Sequence, residues 1–242
     1  MQTMFSFGQS ADLRTIQDRL RGVFGPIRDA KRLDPLSQFV RSFIGSKTYD
    51  KRSWEAFLRL TQKYKSWEAV ADAPVQDVEE TLSRVTFPET KAADLVLALQ
   101  KIRVRAGTLN LDFLAGLSVP PALVWLEQIH GVGRKIAAAT LNFSSLRKRA
   151  FVIDANVLRV MQRFGFVKPN ADIETAYAAV MSATEDFNAD DLYELHWYLK
   201  GLGQKTCTQY RALCEACVLS NLCMKRVEKD AVAVTRSRRV GV

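Results

Sequence analysis

All four cysteines of the 242-residue chain lie within seventeen residues near one end. They are Cys207, Cys214, Cys217 and Cys223, so the spacing is Cys-x6-Cys-x2-Cys-x5-Cys. Four thiolates this close in sequence can surround one metal centre, and unequal short loops favour a cubane iron–sulfur cluster, in which each iron takes one thiolate. Four-cysteine zinc sites usually have two Cys-x2-Cys pairs separated by a longer loop. We therefore expect a [4Fe-4S] cluster, with zinc as the alternative.

A second pattern that can do chemistry is "LEQIHGVGRKIAAATLNF", residues 126–143. Gly131 and Gly133 bracket Val132 and precede a helical segment rich in small residues. Glycines let the backbone approach an anion, and the first N–H groups of the following helix point towards it. Such a helical hairpin can hold a DNA phosphate without reading base sequence. The alternative is a plain corner between two helices.

Two charged residues near this hairpin are candidate catalytic groups. Lys135 falls in the first turn of the second helix, where the positive helix end and Arg134 both disfavour a charged ammonium. A neutral amine there is a potential nucleophile. Asp154 lies nineteen residues later, just before another helical segment. Its alternative role is that of an ordinary helix N-cap.

Helical periodicity dominates the elements that must position these groups. Asp34 and Pro35 have the types expected at an N-cap and first helical position, and an apolar stripe follows them. Asp50 is predicted to cap the next helix, and Pro88 to begin a later one. The only strand-like run, "AFVI" at residues 150–153, is too short for a sheet. The sequence predicts an all-α fold.

The composition bounds the partners and the compartment. Lys and Arg number 35 against 26 Asp and Glu, a net charge of +9, which favours a polyanionic partner such as nucleic acid. The alternative is a basic protein kept in solution by its charge. No apolar run reaches the length of a membrane span, and the first residues do not read as a secretion signal. We expect no membrane partner and a cytoplasmic protein, associated with the nucleoid in a bacterium.

Three motifs in one order carry a family resemblance. The hairpin "HGVGRK", the downstream "VIDANVLRV" and the 6-2-5 cysteine spacing resemble the helix-hairpin-helix DNA glycosylases of the endonuclease III type, collinearly over residues 36–223. The resemblance implies a two-lobed all-α fold. One domain, 36–149, is a six-helix barrel that contains the hairpin. The other, 1–35 with 150–242, is a discontinuous iron–sulfur cluster domain.

The resemblance also implies an activity and the residues that perform it. It predicts a monomeric base-excision-repair DNA glycosylase with abasic-site β-elimination lyase activity on damaged or modified pyrimidines in duplex DNA. Lys135 matches the Schiff-base lysine of the family and Asp154 the catalytic aspartate, and the four cysteines match the [4Fe-4S] ligands. The residues expected to contact DNA along the hairpin are His130, Gly131, Val132, Gly133 and Arg134.

Departures from the family leave the damaged-base preference open, among them Ile129-His130 in place of the usual Leu-Pro before the hairpin. Lys47 stands where a glutamine normally fills the gap left by the flipped base, and Phe87 stands at the wedge position in place of the usual leucine. One alternative is therefore an abasic-site lyase or binder of the same fold with little base excision. Another is a non-catalytic DNA-binding cluster protein that senses damage or redox state. The presence of both Lys135 and Asp154 argues against the latter.

Overall fold

The computed structural model describes residues 10–27 and 31–225, and this part of the chain is helical without a β-strand. The all-α prediction is confirmed. No helix in these ranges is both long and apolar enough to cross a bilayer. In chain order the α-helices are α1 (Ser10–Phe24), α2 (Pro35–Ile44), α3 (Asp50–Lys63), α4 (Trp67–Ala71), α5 (Val75–Thr81), α6 (Pro88–Ala106), α7 (Val119–Glu127), α8 (Arg134–Phe143), α9 (Ala155–Phe164), α10 (Ile173–Ala183) and α11 (Ala189–Lys205), with 3-10 turns at Asp112–Gly116 and Cys214–Ala216.

The chain divides into two compact units, one formed by residues 31–150 and the other by residues 10–27 with 151–225. The first contains α2 to α8 and the second contains α1 and α9 to α11. Identification of these units as a barrel domain and a cluster domain stays a prediction. Residues 1–9 and 226–242 of the predicted cluster domain lie outside the described part of the chain.

Helix α2 is the centre of the 31–150 unit and packs against both α8 and α3. Its apolar stripe follows the spacing of a core-facing helix, and every member is buried: Leu36, Phe39, Val40, Phe43 and Ile44. Helix α8, which packs against α2, contains three consecutive buried alanines, and such small side chains permit close approach of neighbouring helices. The hairpin helix is therefore fixed against the core of its unit.

Local side-chain chemistry explains where several of these helices begin. Asp34 caps α2 as predicted, since its Oδ1 accepts the Ser37 N–H at 2.9 Å, and Pro35 takes the first helical position. Helix α6 begins at Pro88, also as predicted. The prediction that Asp50 caps α3 is wrong. Tyr49 holds the N-cap position and Asp50 is the first helical residue, where the helix dipole also favours a carboxylate.

In the second unit, α11 packs against α9 and α1. The approach to α9 is so close that a Cβ on Gly203 would lie 2.9 Å from the Cβ of Asn156. On the same helix, buried His196 has its Nδ1 2.7 Å from the carbonyl oxygen of Val152. That contact holds the buried segment 151–153, which leads directly into Asp154.

Candidate functional site

The hairpin between α7 and α8 requires a glycine at its turn. Gly131 has φ +77°, and a Cβ on it would lie 3.0 Å from the Cζ of Phe43, so a side chain there would be strained in conformation and crowded against Phe43. Gly133 is the extended N-cap of α8. Val132, between them, is buried, and its N–H donates to the carbonyl oxygen of Ile129. The side chain of Val132 is therefore packed inside the unit, and its N–H already has an acceptor within the turn.

The charged residues of the hairpin have partners within the same unit. Arg134 donates from both Nε and Nη2 to the carboxylate of Glu127, a two-point ion pair that ties the start of α8 to the end of α7. The guanidinium thus braces the hairpin. His130 is exposed, with its Nε2 3.4 Å from Oδ1 of Asp94. Of the predicted hairpin contacts, His130 and the two glycines present the most accessible surface.

Lys135 is the second residue of α8, partly exposed, and it lies in a cluster of lysines. Lys91 of α6 is buried, and burial together with the positive charges of Lys135 and Lys47 lowers its pKa to about 8. Burial is the largest of these causes. Repulsion between ammonium groups is mutual, so the charge on Lys91 also opposes the charge on Lys135. Lys47 and Lys135, both predicted site residues, therefore lie close enough to Lys91 for their charges to lower its pKa.

Two predicted DNA-contacting residues have left-handed backbones. Lys47, in the loop after α2, has φ +53°, and Phe87, the N-cap of α6, has φ +57°. Such a conformation is unfavourable for a residue with a Cβ and typically costs about 1–3 kcal/mol. Lys47 is exposed, and Phe87 is 59% exposed although its side chain is large and apolar. Both are presented to solvent by strained turns.

Asp154 is the N-cap of α9, as predicted. Its Oδ1 accepts the N–H groups of Asn156 and Val157, both at 2.9 Å. The other oxygen, Oδ2, lies 3.8 Å from Nζ of Lys200, and both side chains are largely buried. A nearby ammonium and two N–H donors stabilise the ionised carboxylate. Lys135 and Asp154 belong to different compact units.

The four cysteines line one cavity, whose apolar walls include Val160, Leu202 and Leu219. Within the described ranges, no group of three or more His, Cys, Asp or Glu side chains converges closely enough to hold a metal ion. Burial raises the pKa of the Cys217 and Cys223 thiols, and the neighbouring thiols add to the effect.

Positive and N–H groups approach the sulfur atoms. Arg163 Nη1 lies 3.6 Å from Sγ of Cys207, and the N–H of Lys225 donates to Sγ of Cys223 at 3.3 Å. Arg163 also donates to the carbonyl oxygen of Thr208, and Arg159 donates to that of Cys207. Both arginines extend from α9, so the helix that Asp154 caps also supports the cysteine loop.

Sequence reasoning missed two buried lysines, Lys91 beside Lys135 and Lys200 beside Asp154. The sequence spacing of each lysine indicated that it would lie on a buried helical face. Lys200 follows His196 by four residues and so shares its buried helical face, and Lys91 precedes buried Leu95 by the same interval. A lysine on an apolar stripe needs a partner, because a buried ammonium is costly without one.

The sequence of this chain is similar to those of DNA repair proteins. Residues 40–185 match the sequence profile described as "HhH-GPD superfamily base excision DNA repair protein". Among curated relatives, Endonuclease III of Thermotoga maritima is 26% identical over 196 residues, covering 81% of this chain and 85% of that protein. Endonuclease III of Sulfolobus acidocaldarius is 26% identical over 211 residues, covering 81% and 92%.

Solved structures support the fold. The structure titled "Structure of a Trapped Endonuclease III-DNA Covalent Intermediate: Estranged-Adenine Complex" superposes with a TM-score of 0.72. It covers 94% of this chain and 99% of the other, at 18% sequence identity. At that identity the likeness establishes the fold alone, and the profile match over more than half of the chain establishes the family.

Proposed function

The chain belongs to the HhH-GPD superfamily of base excision DNA repair proteins, and from that premise we propose how it works: as a DNA glycosylase with abasic-site lyase activity on damaged or modified pyrimidines in duplex DNA. The enzyme class follows from the family and from the endonuclease III relatives. The pyrimidine preference rests on the resemblance to the endonuclease III type. We also expect a monomer, in the cytoplasm or on the nucleoid of a bacterium.

The observation that carries the proposal is the position of Lys135, in the first turn of the hairpin helix and close to the charge of Lys91. Repulsion between the two ammonium groups favours the neutral amine that a nucleophile needs. After the damaged nucleotide is flipped from the stack, Lys135 attacks the anomeric carbon C1′ and the base leaves with the bonding electron pair. The nitrogen then gives up a proton and its lone pair forms the second bond to C1′, while the C1′–O4′ bond breaks and O4′ takes a proton, so the sugar ring opens and a protonated imine remains.

Strand cleavage follows from the same imine. It acidifies the C2′ proton, and loss of that proton to a base expels the 3′ phosphate by β-elimination. Asp154, held ionised by its two N–H donors and Lys200, stabilises the positive charge that develops on the sugar as the base departs.

DNA binding is assigned to the hairpin and its surroundings. The N-terminus of α8 and the exposed turn at Gly131 and Gly133 suit a phosphate, and such a contact carries no base information. Lys47 and Phe87 are assigned to the damaged site, where one faces the estranged base and the other wedges the stack. The net charge of +9 adds non-specific attraction to DNA.

A panel of duplexes tests the function, each with one defined lesion opposite each of the four bases, run beside a matched abasic duplex. We expect release of one or more oxidised or modified pyrimidines and cleavage of the abasic strand. A second candidate, an abasic-site lyase with little excision, is favoured by Lys47 and Phe87 at the damaged site. Cleavage of abasic DNA with no base released from any duplex would select it. No reaction on either would refute both.

The position of the four cysteines around one cavity supports a cluster of the endonuclease III type. Cys207, Cys214, Cys217 and Cys223 line a common cavity, and cationic and N–H groups approach two of the sulfur atoms. Such groups stabilise thiolates, which are the form that binds metal. We assign these four residues as the ligands of a [4Fe-4S] cluster, whose part is to organise the loop that Arg159 and Arg163 brace.

Anaerobically purified protein is expected to be brown and to contain about four irons per chain. Replacing Cys214 with serine should remove the colour and most of the iron, because one thiolate ligand is lost, and should lower solubility. Exposed Glu215, adjacent in sequence, provides the control, and its change to glutamine should leave iron content unaltered. Iron and zinc are measured together by elemental analysis. One zinc per chain in a colourless preparation would exclude the cluster.

Changing Lys47 to glutamine is expected to raise the ratio of base excision to abasic cleavage by about threefold to tenfold, the effect of one good hydrogen bond. An ammonium only donates hydrogen bonds, whereas the amide of glutamine both donates and accepts, which helps hold an intact pair open. Binding to undamaged DNA should weaken modestly. Exposed Lys51 provides the control for lost charge. If the Lys47 and Lys51 variants had equal ratios of base excision to abasic cleavage, Lys47 would not occupy the gap left by the flipped base.

A further inference from the structure

The buried ammonium of Lys91 lies between the two turns that present Lys47 and Phe87. Lys91 is 8% exposed, although lysine is among the residues least often buried. Its Nζ donates to the carbonyl oxygens of Ile44 (2.9 Å) and Ser46 (2.5 Å) and to the hydroxyl of Thr48 (2.6 Å). These are the three hydrogen bonds that an ammonium can donate, so the group is fully satisfied only when it is protonated.

Two of these contacts stabilise the end of α2. Ile44 is its last residue, and Ser46 follows the C-cap, so both carbonyl groups lie at the negative end of the helix. A positive group at this end is favourable because it pairs with carbonyl groups that have no intrahelical partner. Lys91 reaches them from α6, so the loop that contains Lys47 is held from another helix.

The third contact continues into the Phe87 turn. The hydroxyl of Thr48 accepts from Lys91, accepts the N–H of Thr86 at 3.1 Å, and lies 3.3 Å from the carbonyl oxygen of Ser46, to which it donates. A hydroxyl has one donor and two acceptor sites, and all three are used here. Thr48 and Thr86 each adjoin a left-handed residue, Lys47 and Phe87 respectively.

We propose that Lys91 is a positioning residue, which with Thr48 forms a clasp that couples the Lys47 loop to the Phe87 turn so that both side chains enter the damaged site together. The inference rests on the proposed function of these two residues. Strained turns persist only where their surroundings hold them, and the clasp is the hydrogen-bonded connection between these two. Base extrusion requires the wedge, Phe87, and the gap-filling side chain, Lys47, at the same time. The clasp therefore affects base excision.

The clasp is expected to affect base excision and abasic-site cleavage to different extents. Removing an intact base requires the duplex to be opened at the lesion, whereas an abasic nucleotide has no base to extrude. Loosening the two turns should therefore slow excision more than it slows abasic cleavage. A defect of general folding would lower both activities together. Burial, with repulsion from Lys135 and Lys47, lowers the pKa of Lys91, so its ammonium is held in place by its three hydrogen bonds against these effects.

The test uses four variants of the full-length protein. Lys91→Met keeps the stem and removes the donors, and Thr48→Val removes the hydroxyl with little change of shape. Thr48→Ser keeps the hydroxyl and tests rescue. Lys101→Met, at an exposed position of the same helix, provides the control. Amide hydrogen exchange of the free protein and single-turnover rates on a lesion duplex and an abasic duplex are measured for each.

We expect exchange at both segments, residues 45–49 and 84–88, to accelerate by at least about fivefold in Lys91→Met and Thr48→Val, because each variant removes the hydrogen bonds that its side chain makes in the clasp. Excision should fall about tenfold in both, with abasic cleavage within about threefold of the parent. Thr48→Ser and Lys101→Met should match the parent. If Lys91→Met does not fold, Thr48→Val and Thr48→Ser carry the test alone.

Two results would overturn the clasp. One is unchanged exchange in residues 84–88 while residues 45–49 loosen, since the turns would then be independent. The other is an equal loss of excision and abasic cleavage, since Lys91 would then have only a folding role. A parent protein without either activity would refute the proposed function and with it the positioning role, whereas the exchange measurement would still decide whether the two turns are coupled.

Discussion

Replacing Lys135 with alanine is expected to abolish borohydride trapping of the protein on abasic DNA and to reduce strand cleavage by at least about a thousandfold. The imine that borohydride reduces cannot form without the amine. The fold should be retained, because residue 135 is the second position of α8 and alanine is the best helix former. The loss of one charge from the lysine cluster should also let the pKa of Lys91 rise towards its ordinary value, since Lys135 is one cause of its depression.

Lys91 is the competing amine that the experiment must exclude. Its pKa of about 8 makes it neutral more readily than an ordinary lysine, and its charge interacts with that of Lys135. Its three hydrogen bonds and its burial hold it away from attack, so Lys91→Met should still trap. Digestion of the trapped complex and mass analysis identify the linked lysine. Undiminished trapping by Lys135→Ala would assign the nucleophile to another amine.

The parts of this protein that sequence predicts well are local. Asp34 and Asp154 are recognisable as caps because each accepts an N–H two or three residues later, which spacing alone anticipates. Asp50 shows the limit of that reasoning, because a carboxylate is also favoured at the first helical position. The glycine at position 131 is also predictable from the local sequence, because the hairpin turn adopts a positive φ that disfavours a residue with a Cβ.

Contacts between distant segments could not be predicted in the same way. The partner of Lys91 at Thr48 lies 43 residues away, and that of Asp154 at Lys200 lies on a different helix. Val132 and Arg134 illustrate the converse. Both belong to the hairpin motif, yet tertiary packing buries the first and pairs the second with Glu127. The sequence alone locates the hairpin, whereas tertiary packing determines which of its side chains are buried or paired with another residue.

Replacing Asp154 with asparagine is expected to slow base excision by about three powers of ten, about 4 kcal/mol at the transition state. Asparagine caps helices as well as aspartate, so its side-chain oxygen can keep the N–H bonds of Asn156 and Val157. The variant therefore removes the negative charge while retaining the start of α9. The charge stabilises the sugar cation formed as the base leaves, and a neutral amide cannot replace it.

Asp172 offers a matched control for this substitution. It caps α10 in the same unit, and its carboxylate accepts the Thr175 N–H at 2.8 Å; hydrogen bonds from the side chain and the N–H of Thr175 lower its pKa. Changing Asp172 to asparagine makes the same chemical change at a comparable position without touching the site. Excision by that variant should equal the parent. If the Asp154 and Asp172 variants excise at similar rates, the role of Asp154 is confined to capping.

Lys200 allows the structural and catalytic effects of Asp154 to be separated. Asparagine at 154 leaves the Lys200 ammonium without its carboxylate in a largely buried position, which should lower the free energy of unfolding. Adding Lys200→Met removes that buried charge, and the double variant should regain stability measured by denaturant unfolding. Its excision rate should stay about three powers of ten below the parent, because the missing negative charge at the sugar is not restored. Recovery of excision along with stability would show that Asp154 acts by holding α9 in place.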